Sequence, residues 1–190
     1  GAMSRPAPGQ PCPVSTYRLQ MGPQLTFDEA AAVAPRVAAL GVSHVYLSPI
    51  LASAPGSTHG YDVIDPTRID EEMGGREGLD RFAAACREVG LGIVLDIVPN
   101  HVATPVPAHL NPSWWGLLSD GEDSEYASWF DVDHDAHDGR VLVPILGGTP
   151  QEAIDNGELV IDREGGPGGT PVLRYHEHVL PVRPETLDLP

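Results

Sequence analysis

The sequence predicts an α/β fold in which β-strands alternate with helices. Two segments carry apolar residues at helical spacing, and β-rich segments flank them in the order strand, helix, strand, helix, strand. The last of these strands, Ile93–Val98, is an almost continuous apolar run, which is typical of a strand covered on both faces. This alternation indicates βαβ units and a parallel sheet.

Both helices have recognisable ends. Thr26 and Glu29 form a capping-box sequence at the start of the first helix, and Gly41 stands where that helix should stop. Gly90 ends the second helix in the same way. The core-facing positions are Phe27, Ala30, Ala34 and Val37 in the first helix and Leu79, Phe82, Ala83, Cys86 and Val89 in the second.

The first two strands are predicted at Val14–Gln20 and His44–Ile50, which are rich in β-branched and aromatic residues. A long loop separates the second strand from the second helix. Parallel α/β folds bind ligands at the carboxyl ends of their strands. Polar residues that follow His44–Ile50 and Ile93–Val98 are therefore the first candidates for function.

The alternation stops at about residue 104. Short strands are predicted at Val141–Leu146 and Glu158–Asp162, with 172–178 as a hairpin partner. Four aromatic residues in this part are open to two interpretations, the wall of an oligosaccharide groove or a small core: Trp114, Trp115, Trp129 and Phe130.

Three regions are predicted along the chain. Residues 1–13 are an expression scar followed by a proline-rich, flexible lead-in. Residues 14–103 hold the three strands and two helices, and residues 104–190 form a partly β subdomain inserted after the third strand. Three parallel strands leave open sheet edges, and a closed (β/α) barrel takes about 250 residues. We therefore expect the chain to be the first part of something larger.

Composition excludes several classes of partner. The chain has 27 Asp and Glu against 11 Lys and Arg, a formal net charge of -16, and eight of its acids lie between Asp120 and Asp138. An acidic chain of this kind is a poor ligand for nucleic acid or an anionic membrane, so neither is expected as a partner. Two cysteines and the lack of a secretory signal or long apolar run favour a cytoplasmic protein.

The first candidate site is the segment from Asp96 to His101. Asp96 interrupts an apolar strand, and because an unpaired buried carboxylate is costly, we expect an arginine partner. Asn100 and His101 follow where the strand ends. In the alternative interpretation, Asp96 caps the following loop and His101 is a hydrogen-bonded loop histidine.

The second candidate site is the loop that contains His59, Tyr61 and Asp62. A tyrosine ring can stack on the apolar face of a pyranose while neighbouring polar groups bind its hydroxyls. A glycine-rich turn with a packed tyrosine is the alternative, and local sequence alone favours that alternative.

These segments resemble the alpha-amylase family of glycoside hydrolases and transglycosylases. Residues 96–101 (DIVPNH) resemble the family's first signature, and residues 59–61 (HGY) resemble its loop after the second barrel strand. Residues 41–49 are similar to its second-strand motif. Stretches 15–20, 48–75, 111–133 and 144–150 are similar to the branch that rearranges the reducing end of maltooligosaccharides. The resemblance implies strands 1–3 of a (β/α)8 TIM barrel, with an inserted, partly β subdomain after strand 3.

The resemblance also implies roles for the candidate residues. His59 and His101 would donate hydrogen bonds to the sugar whose bond is cleaved, and Tyr61 would stack beneath that sugar. Asp96 would orient an arginine near the nucleophile. The maltooligosaccharide substrate is the partner that these roles imply.

Two further residues match family positions. Asp62 corresponds to a family position and is included among the substrate-binding residues. Asn100 lies where some relatives bind calcium, but further calcium ligands are not identifiable. No metal and no cofactor are therefore expected.

The family's catalytic carboxylates have no counterpart in this sequence. The family retains anomeric configuration with a nucleophile and an acid/base about 5 Å apart. The nucleophile lies in a Gly-x-Arg-x-Asp motif and the acid/base Glu on the next strand, and neither pattern occurs here. Both are expected beyond residue 190, so the chain alone should be inactive, and the remaining C-terminal part could be present as a separate chain.

The resemblance implies an activity that converts the reducing-end α-1,4 bond of a maltooligosaccharide into an α,α-1,1 bond. A hydrolase of the same family, such as the enzyme that releases trehalose from the rearranged product, is one alternative. A non-catalytic carbohydrate-binding fragment is the other.

Overall fold

The computed structural model describes residues 12–187. Residues 1–11, most of the predicted lead-in, lie outside the described part. Between Val102 and Ala103 the chain divides into two compact units, here called the N-terminal unit and the C-terminal unit. The boundary predicted from the sequence lies one residue later.

The N-terminal unit contains the predicted parallel sheet. Strands β1 (Thr16–Leu19), β2 (His44–Leu47) and β5 (Gly92–Leu95) lie in the order β1-β2-β5, and both pairings are parallel. Helices α1 (Phe27–Ala39) and α2 (Gly75–Glu88) connect them. The predicted βαβ arrangement is confirmed.

One face of this sheet is packed against the helices. The two helices bring Phe27 and Phe82 together, with ring centroids 6.3 Å apart and both side chains fully buried. Val45 and Leu47 of β2 belong to the same core. The capping box predicted for α1 is present, because Glu29 Oε2 accepts from the Thr26 backbone N–H at 2.8 Å.

The expectation that Ile93–Val98 is covered on both faces is wrong for the described residues. The regular strand ends at Leu95, although the Asp96 N–H still donates to the Leu47 carbonyl at 3.0 Å. Leu95 and Ile97 are 43% and 65% exposed. The physical reason is position, because β5 lies at an edge of the three-stranded sheet.

The predicted long loop contains an antiparallel hairpin. Strands β3 (Leu51–Ser53) and β4 (Val63–Ile69) pair with two register irregularities, and residues 54–62 connect them. Asp70 fixes the base of the hairpin, since its Oδ2 accepts from the Ser53 hydroxyl at 2.8 Å. The hairpin therefore presents the candidate loop on two paired strands.

The C-terminal unit contains two helices and a small antiparallel sheet. The helices are α3 (Pro112–Asp120) and α4 (Pro150–Asp155). Strands β6 (Leu159–Asp162), β7 (Val172–Tyr175) and β8 (His178–Pro181) lie in sequence order in the sheet. The predicted strand at 158–162 and its pairing with 172–178 are confirmed.

Two predictions for this unit need correction. Val141–Leu146 is not a strand: Pro144 lacks a backbone N–H, and the Ile145 N–H donates to the Val143 carbonyl at 2.9 Å, which makes a tight turn. Segment 172–178 is not one element either. Strand β7 ends at Tyr175, and a turn through His176, with φ 51°, leads into β8.

No helix within residues 12–187 is long and apolar enough to cross a membrane.

The two cysteines should differ strongly in reactivity. Cys86 is fully buried in the core, and burial raises the pKa of its thiol to about 11. Cys12 is exposed. Because the thiolate is the nucleophile, iodoacetamide at pH 8 should modify Cys12 rapidly and leave Cys86 intact until the chain unfolds. Peptide mass spectrometry checks this, and equal labelling in the native state would contradict the described packing.

Candidate functional site

Strand register brings the candidate residues onto the sheet face opposite the helices. Arg18 of β1 is the register partner of Tyr46 in β2, and Tyr46 pairs with Val94 in β5. Side chains two residues apart on a strand share a face. Asp96 therefore lies on the same face as Arg18 and Tyr46, one step nearer the carboxyl end.

Asp96 is the centre of the site. Its Oδ2 accepts hydrogen bonds from the Tyr61 hydroxyl at 2.7 Å, the Tyr46 hydroxyl at 2.9 Å and Arg18 Nη1 at 3.4 Å. The Tyr61 hydrogen bond, followed by those from Tyr46 and Arg18, holds the pKa of the carboxyl below its ordinary value despite some desolvation. Asp96 is therefore a carboxylate at neutral pH.

Arg18 is the arginine partner that the sequence analysis expected without naming it. Its guanidinium carbon lies 4.8 Å from the ring centroid of Tyr46, and its Nη2 donates to the Tyr61 hydroxyl at 3.2 Å. The Tyr61 hydrogen bond is the first cause that raises the pKa of Arg18, so the side chain stays charged. The hydroxyl of Tyr61 is thus fixed from two sides.

The loop between β3 and β4 holds Tyr61 from its backbone side. Gly60 has φ 75°, and a Cβ atom there would lie 2.7 Å from the Pro49 carbonyl oxygen. Ser57 donates to the Asp62 carboxylate, and the Asp62 carbonyl accepts from the Ala54 N–H at 3.0 Å. Asp62 therefore closes the loop in this structure.

Tyr61 and His59 form a partly exposed aromatic surface. Tyr61 is 40% exposed. The two rings lie 6.0 Å apart between centroids with an interplanar angle of 24°, and His59 Nδ1 accepts from the Tyr61 N–H at 3.0 Å. A flat ligand surface can reach the tyrosine ring while its hydroxyl stays bound to Asp96.

His101 is close to Tyr61 and belongs to the same group of side chains. Its Nε2 is 3.2 Å from the Tyr61 carbonyl oxygen. A carbonyl can only accept, so this nitrogen carries the hydrogen and Nδ1 is left for another partner. Asn100 is exposed in the bend before His101 and makes no side-chain hydrogen bond with residues 12–187. In the same range, no group of three or more His, Cys, Asp or Glu side chains is arranged to hold a metal ion.

Two residues of the cluster were not predicted as site residues. Arg18 and Tyr46 occupy the polar positions of otherwise ordinary strands. The available signal was the two-residue periodicity. Once the strands are paired in the order observed, the face that carries Asp96 also carries these two side chains.

Gly60→Ala should destabilise the chain more than Gly56→Ala. Both glycines have φ near +76°, namely 75° and 77°, so both substitutions incur the left-handed penalty of about 1–2 kcal/mol. A Cβ at Gly60 also collides with the Pro49 carbonyl, whereas a Cβ at Gly56 meets nothing within 4 Å. Urea unfolding of the two variants measures the difference. Equal losses would show that the Pro49 contact does not constrain the loop.

The geometry suits a neutral, hydroxyl-rich ligand. An aromatic ring, a carboxylate, a guanidinium and two imidazoles converge within one face of one unit. Hydroxyl groups both donate and accept, so they can use acceptors such as Asp96 and donors such as Arg18 together.

Comparison with known proteins identifies the family. The model of the alpha-amylase catalytic domain matches residues 35–150. The chain belongs to the alpha-amylase family. Its matched region includes the Tyr61 loop and the segment from Asp96 to His101.

Maltooligosyltrehalose synthases are similar to this chain over most of its length. A putative maltooligosyl trehalose synthase of Mycobacterium tuberculosis is 43% identical over 180 residues, covering 92% of this chain and 22% of that protein. The structure of maltooligosyltrehalose synthase from Arthrobacter ramosus matches with a TM-score of 0.80 and 42% identity, over 92% of this chain and 22% of the other. An intracellular maltogenic amylase of Bacillus subtilis is 36% identical over 93 residues, 49% of this chain and 15% of that protein.

The chain thus spans about a fifth of the length of the synthases that it matches, 22% in both comparisons.

Proposed function

We propose that this chain is part of a maltooligosyltrehalose synthase and contributes substrate-binding residues to its active site. The observation that carries the proposal is the similarity to synthases over 92% of the chain, against 49% for the amylase. In this proposal β1, β2 and β5 are strands 1–3 of a (β/α)8 barrel, and residues 104–190 are an insertion after strand 3.

The proposed reaction is an intramolecular transglucosylation. The α-1,4 bond at the reducing end of a maltooligosaccharide breaks as the nucleophile bonds to the anomeric carbon of the glucan, and the acid/base protonates the released glucose. The anomeric hydroxyl of that glucose then attacks the glycosyl-enzyme and forms the α,α-1,1 bond, while its proton returns to the acid/base. No atoms are gained or lost, and water must be kept out because it would give hydrolysis.

Each candidate residue has a role in this scheme. Tyr61 stacks beneath the sugar at the cleaved bond, and His59 donates to a sugar hydroxyl through Nε2, because its Nδ1 accepts from the Tyr61 N–H. His101 donates to another hydroxyl when its Nε2–H moves from the Tyr61 carbonyl to the sugar. The Asp96 Oδ2 is already bound three times, so Oδ1 is left to orient an arginine near the nucleophile. The role proposed for Asp62 is to close the loop that carries Tyr61. Asn100 is proposed as an exposed polar group next to His101.

Both catalytic carboxylates are proposed to come from sequence beyond residue 190. This chain by itself would then be inactive. We further propose a cytoplasmic location, because both Cys12 and Cys86 are free thiols.

The test is a product assay with the complete protein and maltopentaose. A synthase removes the reducing-end anomeric proton signal in NMR spectra and yields a non-reducing pentasaccharide without free glucose. Shorter reducing sugars would instead identify an alpha-amylase-family hydrolase. In a second assay with the rearranged, non-reducing pentasaccharide as substrate, release of trehalose would identify the trehalose-releasing enzyme. No conversion of either substrate would favour a non-catalytic carbohydrate-binding protein.

A further inference from the structure

We infer that the C-terminal unit carries a second maltooligosaccharide-binding site, separate from the Tyr61 cluster. It is a cleft of about 490 Å³ between α3 and the ends of β7 and β8. This volume falls within the range of small-molecule sites, roughly 300–1,000 Å³. The choice of α-1,4-linked glucose as ligand rests on the proposed function.

An indole ring forms one wall of the cleft. Trp115 lies on α3, and its ring is held edge-on by His109 with centroids 5.7 Å apart. Asn111 fixes the start of that helix, where its Oδ1 accepts from the backbone N–H groups of Ser113 and Trp114 at 3.0 Å. A ring positioned in advance loses little conformational freedom when a pyranose stacks on it.

Polar groups of both kinds line the rest of the cleft. Asp120, Asp123 and Glu185 supply carboxylates, and Arg183 supplies a guanidinium. Within residues 12–187 none of these four side chains makes a hydrogen bond or an ion pair with another residue. They can therefore bind a ligand without first breaking an internal contact.

The charged side chains that line the cleft favour a neutral ligand over an anion. Three carboxylates against one guanidinium disfavour phosphates and other anions. The carboxylates are not grouped as a metal site, because no set of three acidic or His/Cys side chains in the described residues could hold an ion. Separated acceptors beside a donor and an aromatic ring fit the many hydroxyls of a neutral sugar.

Asp120 lies where local helix stability disfavours it. It is the last residue of α3, whose last turn has no basic residue, and a carboxylate there interacts unfavourably with the helix dipole. Residues that violate a local rule are expected at functional sites. The position is consistent with selection for binding.

The inference is tested by titrating the 190-residue chain with maltotetraose, with calorimetry and tryptophan fluorescence as the two measures of binding. We expect saturable binding that Arg183→Gln and Asp120→Asn each weaken at least tenfold. Asp120→Asn should leave the thermal midpoint unchanged or slightly higher, since it removes a charge from the helix end. Arg163→Gln, an exposed arginine of the same unit outside the cleft, should bind within twofold of the original chain.

Three results would overturn the site. They are the absence of saturable binding, loss of binding in Tyr61→Ala but not in Arg183→Gln, and displacement of the sugar by putrescine, which would indicate an organic-cation site. The result is separable from the proposed function. If the complete protein forms no α,α-1,1 bond but the chain binds sugar through Arg183, the proposed activity is rejected and the second site is retained. If the complete protein forms this bond but Arg183→Gln does not weaken sugar binding, only the second site is rejected.

Discussion

Replacing Tyr61 by alanine in the complete protein should lower kcat/KM for rearrangement of maltopentaose by on the order of 100-fold. The substitution removes the stacking surface and also the hydroxyl that binds both Asp96 and Arg18. Loss of alignment of this kind costs about two orders of magnitude in rate. Initial-rate measurements of the non-reducing product give the value.

Two comparisons separate the contributions of the ring and its hydroxyl. Tyr61→Phe keeps the ring and should lose roughly tenfold, because about one to two net hydrogen bonds disappear. Tyr17→Ala is the matched control, since Tyr17 is 44% exposed and lies on the opposite face of β1 from Arg18. It should remain within about twofold of the original rate, as surface substitutions usually change little.

His101→Ala examines the other side of the same cluster and should also lower the rate severely. The imidazole contacts the Tyr61 carbonyl through Nε2, and in the proposed function this N–H moves to a sugar hydroxyl when substrate binds. Near-normal turnover in both Tyr61→Ala and His101→Ala would contradict the assignment of this cluster to the sugar-binding site.

Local signals were sufficient to predict the framework of the N-terminal unit. The capping box at Thr26, the apolar stripe behind it and the run that contains Ile93 are each readable within a short window. The hairpin that presents Tyr61 was missed because its pairing is irregular and β4 contains Pro66, which cannot donate in a strand ladder. Its stability comes from contacts such as Asp70 with Ser53, which no short window reveals.

Site residues were predictable to the extent that they interrupt a pattern. Asp96 was noticed because it breaks an apolar run, whereas Arg18 and Tyr46 sit at ordinary outward positions of their strands. Their role depends on strand order and register, which the sequence of one strand does not contain. The arginine expected beside Asp96 could therefore be identified as Arg18 only from the paired strands of the sheet.

In the C-terminal unit, the sequence contains capping residues at the starts of both helices, but the helices themselves are short. Thr149 and Glu152 form a capping box, and Asn111 followed by Pro112 is a typical helix start. The resulting helices have 6 and 9 residues, too few for a clear apolar stripe. Elements of this length are defined mainly by their caps and by packing against the sheet.

Asp96→Asn should lower the free energy of unfolding of the chain by about 1–2 kcal/mol at pH 7. Hydrogen bonds to a charged acceptor contribute about 1.5–3 kcal/mol, and the value is reduced here because the Asp96 and Arg18 side chains are 18% and 39% exposed. The variant leaves the hydroxyls of Tyr46 and Tyr61 with a weaker acceptor. Urea denaturation at several pH values gives the difference.

The pH dependence identifies the source of this loss. The pKa of Asp96 is lower in the folded chain than its ordinary value, so its contribution is complete above the unfolded value of about 4 and is lost as pH falls through the folded value. The stability gap between the original chain and Asp96→Asn should therefore be constant from pH 5 to 7 and shrink below pH 4. Asp80→Asn removes the partner of Arg76 in an exposed helical pair and should cost less than about 0.5 kcal/mol. A gap for Asp96→Asn that is equally small, or that persists unchanged in acid, would mean that the three hydrogen bonds to its Oδ2 do not hold Tyr61 in place.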